Sequence, residues 1–153
     1  MVVPLNDMLP FATGERKLAA CVLLLLLELF LEGADAVPNQ ADIENHLELG
    51  KEFLARGQLA DALTHYHAAV EGDPNNYLTL FKRGTVYLAL GKARFAIQDF
   101  TRVLELKPDF AAARIQRGIV HLKSGEYEQA SEDFEHVLQE DPYNETAQFP
   151  TAQ

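Results

Sequence analysis

Five sets of residues recur in this chain with one period of 34, and that period constrains the fold before composition is weighed. Gly50, Gly84 and Gly118 form the first set, and Gly57, Gly91 and Gly125 the second. Ala62, Ala96 and Ala130 follow, then Tyr66, Phe100 and Phe134, and last Pro74, Pro108 and Pro142. A unit of this length cannot bury its apolar face alone, so three copies must stack and share a core.

Each column has a steric reason. Gly at the eighth position of the unit and Ala at the twentieth remove side chains where two helices cross closely. The second glycine falls between two apolar-periodic segments, where the first helix must stop and a positive φ is useful. Asp73-Pro74, Lys107-Pro108 and Asp141-Pro142 end each second helix, because Pro lacks an N–H and disfavours helix at the residue before it. The aromatic column, with Ala69, Val103 and Val137 three residues later, forms an apolar stripe on the second helix and is read as core. The class is all-α. Helices are expected over about Ile43 to Arg56, Leu59 to Glu71, Tyr77 to Leu90, Ala93 to Leu106, Ala111 to Lys123 and Tyr127 to Glu140.

This punctuation resembles the tetratricopeptide repeat, a helix-turn-helix unit that stacks into a right-handed superhelix. The resemblance covers Ile43 to Asn144 and divides the chain into a leader over 1–36, a lead-in over 37–42, repeats over 43–76, 77–110 and 111–144, and a tail over 145–153. In the third repeat Arg114, Arg117 and His121 stand where the family prefers bulky apolar or aromatic residues, so that repeat is expected to be the loosest. The outer face around Phe134 and Leu138 is expected to be exposed or to self-associate.

The N-terminus reads as a cleavable signal peptide. Arg16 and Lys17 precede Leu18 to Leu31, a run of 14 residues with five consecutive leucines, Leu23 to Leu27. Ala34-Asp35-Ala36 then offers small residues at the positions a signal peptidase reads, so cleavage is expected after Ala36. The run is short of the roughly 20 residues that cross a bilayer, and Glu28 interrupts it. Val37 to Gln153 would then carry 11 basic and 18 acidic side chains, no membrane span and no cysteine, and would enter the secretory pathway.

Chemistry is bounded by what the chain carries. A formal charge of -10 repels phosphate backbones, which excludes nucleic acid as a partner. Cys21, the only cysteine, permits neither a disulfide framework nor a Cys-based metal site. His65 and His67 lie about 200° apart around a helix axis and cannot share a metal as an i, i+4 pair could. Both are read as solvated. Glu126, Glu128, Glu132, Asp133 and Glu135 are read as an exposed face near the N-terminus of the last long helix, where negative charge is favourable. With no phosphate loop and no nucleophile beside a base, neither a cofactor nor an enzymatic activity is expected.

In tetratricopeptide-repeat proteins the first helices line a concave groove, and one subgroup uses Lys, Asn and Arg there to clamp the acidic EEVD tails of heat-shock chaperones. The clamp places hold Leu47, Lys51, Lys82, Ala112 and Gln116, none with the clamp identity, so fork-like carboxylate recognition has no donors arranged for it. The groove positions instead offer Leu47, Leu54, Leu78, Phe81, Leu88, Ile115, Ile119 and Leu122, with Phe81 and Ile115 as leading candidates for contact with unfolded polypeptide.

The stretch ADIENHLELGKEFLARGQLADALTHYHAAVEGDPNNY, with AAARIQRG beyond it, is similar to the N-terminal repeats of the lumenal J-domain co-chaperones also known as interferon-induced kinase inhibitors. That resemblance implies a protein of the endoplasmic-reticulum lumen whose repeats bind misfolded client proteins and deliver them to the chaperone BiP through a J domain. The 153 residues hold three repeats and no His-Pro-Asp triplet, so they are expected to hold clients passively and to meet BiP only indirectly. The alternative is a regulatory adaptor docking on a folded partner such as a stress kinase. Asn144-Glu145-Thr146 is the only sequon and becomes a glycosylation acceptor in the lumen.

Overall fold

The computed structural model describes residues 12–32 and 38–148, and the chain divides into two compact units, Met1–Val37 and Pro38–Gln153. In the first unit α1 (Ala12–Glu32) carries the leucine run, and Leu23 to Leu27 are all exposed. No helix of the described residues is long and apolar enough to cross a membrane. The expected cleavage site at Ala36 lies outside the described residues.

The second unit is a stack of three helical hairpins. They are α2 (Gln40–Ala55) with α3 (Leu59–Gly72), α4 (Tyr77–Ala89) with α5 (Ala93–Leu106), and α6 (Ala111–Lys123) with α7 (Tyr127–Glu140); a short α8 (Glu145–Gln148) follows. Between hairpins α3 packs on α4 and α5 on α6, and the first helices α4 and α6 also touch. The helix boundaries match the sequence reading to within a residue or two except at α2, which begins three residues earlier than expected. There the Asn39 side chain accepts from the Asp42 N–H at 2.8 Å and the Asp42 carboxylate accepts from the Asn39 N–H, a reciprocal capping box.

The hairpin turns are three copies of one motif. Gly57, Gly91 and Gly125 have φ of 73°, 69° and 77°, the left-handed region in which a Cβ is penalised. Beyond each glycine a backbone N–H reaches five residues back to close the helix end: Gln58 to Phe53, Lys92 to Tyr87 and Glu126 to His121, at 2.8 to 2.9 Å.

The other glycine column is explained by rings. A Cβ on Gly50 would lie 2.9 Å from Tyr66 Cε1, on Gly84 2.8 Å from Phe100 Cε1, and on Gly118 2.9 Å from Phe134 Cε1. Each aromatic side chain of a second helix therefore fills the space where the facing first helix lacks a side chain, and all three rings are buried. Phe134 thus lies inside the third hairpin, which corrects its assignment to an exposed outer face. Leu138 is half-buried, and beyond it the buried Ala147 of α8 joins the same cluster.

Candidate functional site

The apolar side chains assigned to the groove divide by depth. Ile115 is only 8% exposed and packs with Ala130, Phe134 and Val137, so its reading as open surface is corrected: its side chain completes the core of the third hairpin. Phe81 is half-buried between rings, its centroid 5.8 Å from Phe100 and 5.2 Å from Phe110, the latter edge-on. Leu47 and Leu54 pack around the Tyr66 cluster, Leu88 against the central core, and Ile119 and Leu122 against the Phe134 cluster, all half-buried. Leu78, at the start of α4, is the exposed member at 47%.

A polar feature that the sequence reading missed runs along the same stack. Arg83 of α4 donates from Nε and Nη2 to the two carboxylate oxygens of Asp99 at 2.9 and 2.7 Å, and Arg117 of α6 does the same to Asp133 at 2.9 and 2.6 Å. The remaining Nη1 of each guanidinium reaches the second helix of the preceding hairpin, His67 Nδ1 at 3.2 Å in one case and Thr101 Oγ1 at 3.1 Å in the other. The hydrogen bond to the carboxylate raises the pKa of both guanidiniums above the ordinary arginine value, against the opposing effect of burial. Both pairs have a spacing of 16 and recur after 34 residues, so a sequence signal existed.

Three readings of polar residues change accordingly. Asp133, assigned to a solvated acidic face, is 4% exposed and paired. Arg114, Arg117 and His121 of the third repeat all have partners: Arg114 donates to the Pro108 carbonyl at 3.1 Å and lies 4.0 Å from Asp133, Arg117 pairs with Asp133, and His121 Nδ1 is 2.6 Å from Glu126 Oε2. His65 and His67 are half-buried, not solvated. His67 Nδ1 accepts from Arg83, so its Nε2–H donates to Tyr87 Oη at 3.0 Å. Burial first, and Arg83 second, hold this imidazole below its ordinary pKa, while burial raises that of Tyr87. His65 stacks on Phe53 at 5.2 Å and faces His46.

No group of three or more His, Cys, Asp or Glu among the described residues could hold a metal. Asn144 is half-buried and caps α8, its Oδ1 accepting from the Ala147 N–H at 3.2 Å, with Nδ2 aimed at Asp141 Oδ2 at 3.4 Å.

Stacked 34-residue hairpins with a Gly-over-ring contact in each define the class. A TPR repeat model matches residues 50–91 and a tetratricopeptide repeat model residues 81–145, and the chain belongs to the tetratricopeptide-repeat family, a protein-interaction fold. Within it, the chain is similar to DnaJ homolog subfamily C member 3. The mouse protein is 54% identical over 78 residues, covering 50% of this chain and 15% of the relative; the human protein is 59% identical over 64 residues, covering 42% and 12%. The chain thus spans about one seventh or less of these relatives' length. A crystal structure of the P58(IPK) TPR domain is 51% identical, with a TM-score of 0.64 over 73% of this chain and 31% of that one. The second TPR domain of human RPAP3, determined in complex with the HSP70 peptide SGPTIEEVD, is 26% identical with a TM-score of 0.68, covering 73% of this chain and 93% of that one.

Proposed function

We propose that the three hairpins form a co-chaperone-type module that holds unfolded or misfolded polypeptide along its first helices. The observation that carries this reading is the apolar, donor-poor character of those positions: Leu78 is exposed, and Leu47, Phe81, Leu88, Ile119 and Leu122 are half-buried around it and beyond. Ile115 serves as floor. Contacts of this kind are weakly directional and suit segments of many sequences better than one charged tail. The similarity to DnaJ homolog subfamily C member 3 supports the same reading, as does a Fusarium oxysporum relative named a tetratricopeptide repeat and J domain-containing co-chaperone, 43% identical over 49 residues, 32% of this chain and 9% of that relative.

Place follows from the leader. The leucine run behind Arg16 and Lys17 supports a signal peptide removed after Ala36, and with it repeats that reside in the endoplasmic-reticulum lumen. Asn144 is then a glycan acceptor, because the Oδ1 that caps α8 survives attachment of sugar at Nδ2. The repeats hold no His-Pro-Asp triplet, so by themselves they would meet BiP only indirectly.

The test is suppression of aggregation. The repeats should slow aggregation of a denatured model protein at near-stoichiometric ratio without ATP, and leave BiP turnover unchanged. Leu78→Glu with Ile119→Glu should abolish the effect with helicity retained, since each charge would need to be desolvated against an apolar segment. Unaltered suppression by this double variant would overturn the assignment of the surface. No suppression by the parent chain would favour an adaptor that docks on a folded partner such as a stress kinase.

A further inference from the structure

The first repeat brings together two side chains that the client reading does not use. His46 on α2 and His65 on α3 lie with their Nδ1 atoms 3.0 Å apart, ring centroids 5.3 Å apart and ring planes at 36°. Only one proton fits between two nitrogen lone pairs that close, so the pair as it stands is a single hydrogen bond. The separation also suits two ligands of one metal ion: bonds of about 2.0–2.1 Å spanning 3.0 Å meet at about 95°, close to the angle of adjacent ligands in square-planar or octahedral coordination.

We propose that His46 and His65 form a two-imidazole site for a divalent transition-metal ion of the class that favours nitrogen ligands, Cu2+, Ni2+ or Zn2+, with water completing the coordination. Both rings are half-buried, which leaves the site reachable and partly shielded. His65 is held by its near-parallel stacking on Phe53, at 9° between planes, so only His46 has to turn. The two helices are fixed beside the site by the close approach of Gly50 to Tyr66. Preorganised ligands lose little freedom on binding. In the repeats that follow, the equivalent positions hold Leu80 with Asp99 and Arg114 with Asp133, so the site occurs once in the stack. Its occupant would tie α2 to α3.

The test is titration of the full chain with Cu2+, Ni2+ and Zn2+ by calorimetry, together with electron paramagnetic resonance of the Cu2+ form. One equivalent should bind with two imidazole nitrogens in the spectrum, and added Zn2+ should raise the melting temperature, because a ligand that binds only the folded state stabilises it. His46→Gln and His65→Gln should each weaken binding about tenfold or more and remove the thermal shift, whereas His136→Gln on α7 should leave both unchanged. If His65→Gln loses helicity, His46→Gln carries the test. No stoichiometric binding by the parent chain, or equal affinity in every variant as expected for metal at the terminal amine, would overturn the proposal.

Discussion

Repeats two and three bury a guanidinium against a carboxylate at positions where repeat one places Leu49 and a stacked His65. The backbone slot is the same, so the hairpin does not need the charges in order to form. What the ionic version adds is the third contact, from Arg83 to His67 and from Arg117 to Thr101, which ties each hairpin to the one before it. In repeat one Leu49 stands at the guanidinium position, so that hairpin forms without such a bridge. The pair is therefore a stacking device more than a hairpin device, and the comparison can be broken at several points.

The largest effect should come from removing the shared carboxylate. Asp133→Ala leaves Arg117 unpaired and Arg114 without its nearby charge, and should cost about 3–5 kcal/mol in urea unfolding, with Asp99→Ala costing somewhat less because only Arg83 is orphaned. Equal small losses, under about 1 kcal/mol, would show that these pairs are no better than surface ones.

Moving the pair into repeat one sharpens the contrast. His65→Asp alone should cost about 1–3 kcal/mol, since a half-buried carboxylate would replace a ring stacked on Phe53 with no guanidinium in the slot to pair it. Adding Leu49→Arg should return part of that, a coupling of about 1–2 kcal/mol in a double-mutant cycle. A coupling near zero would mean that the slot in repeat one cannot seat an Arg–Asp pair.

The smallest effect is on pH dependence. His67 is held below its ordinary pKa when folded, so the unfolded chain binds the proton more readily. The stability this contributes is complete above the unfolded value near 6.5 and is lost as pH falls through the lowered folded value. Unfolding midpoints measured from pH 7.5 to 5 should decline less steeply in His67→Gln than in the parent chain. An identical slope would mean that the imidazole does not remain neutral against Arg83.

The residues that were legible and those that were not differ in kind. The 34-residue columns could be read because each meets one steric demand in every copy: Gly57, Gly91 and Gly125 all need positive φ, and the ends of α5, α6 and α7 fall where the turn residues put them. The early start of α2 was legible in Asn39 and Asp42, a capping box whose Asn39 lies four residues before Ile43. The pairing of Arg83 with Asp99 and of Arg117 with Asp133 is hidden helix by helix, where Arg117 reads as a misfit at an apolar position and Asp133 as part of a solvated acidic face. Only the spacing of 16 repeated across the period reveals a pair. The depth of the first-helix apolar residues was not readable, because apolar letters on one helix face suit an open surface and the seam between helices alike. Leu78 and Ile115 are equally apolar letters, yet one begins a helix at the open edge and the other lies over Phe134.

The contact between glycine and ring also bears on how such repeats change over evolutionary time. Because Tyr66, Phe100 and Phe134 occupy the volume a Cβ would need at Gly50, Gly84 and Gly118, the two columns are one inherited variable written in two places. A lineage that enlarges the glycine must shrink the ring in the same repeat, and one that loses the ring leaves a void that a larger residue on the first helix can fill. Each hairpin can make that exchange by itself, since the contact closes within the repeat. Drift in one copy then leaves its neighbours' pairing intact, whereas the Arg83 and Arg117 bridges bind adjacent copies to a common history.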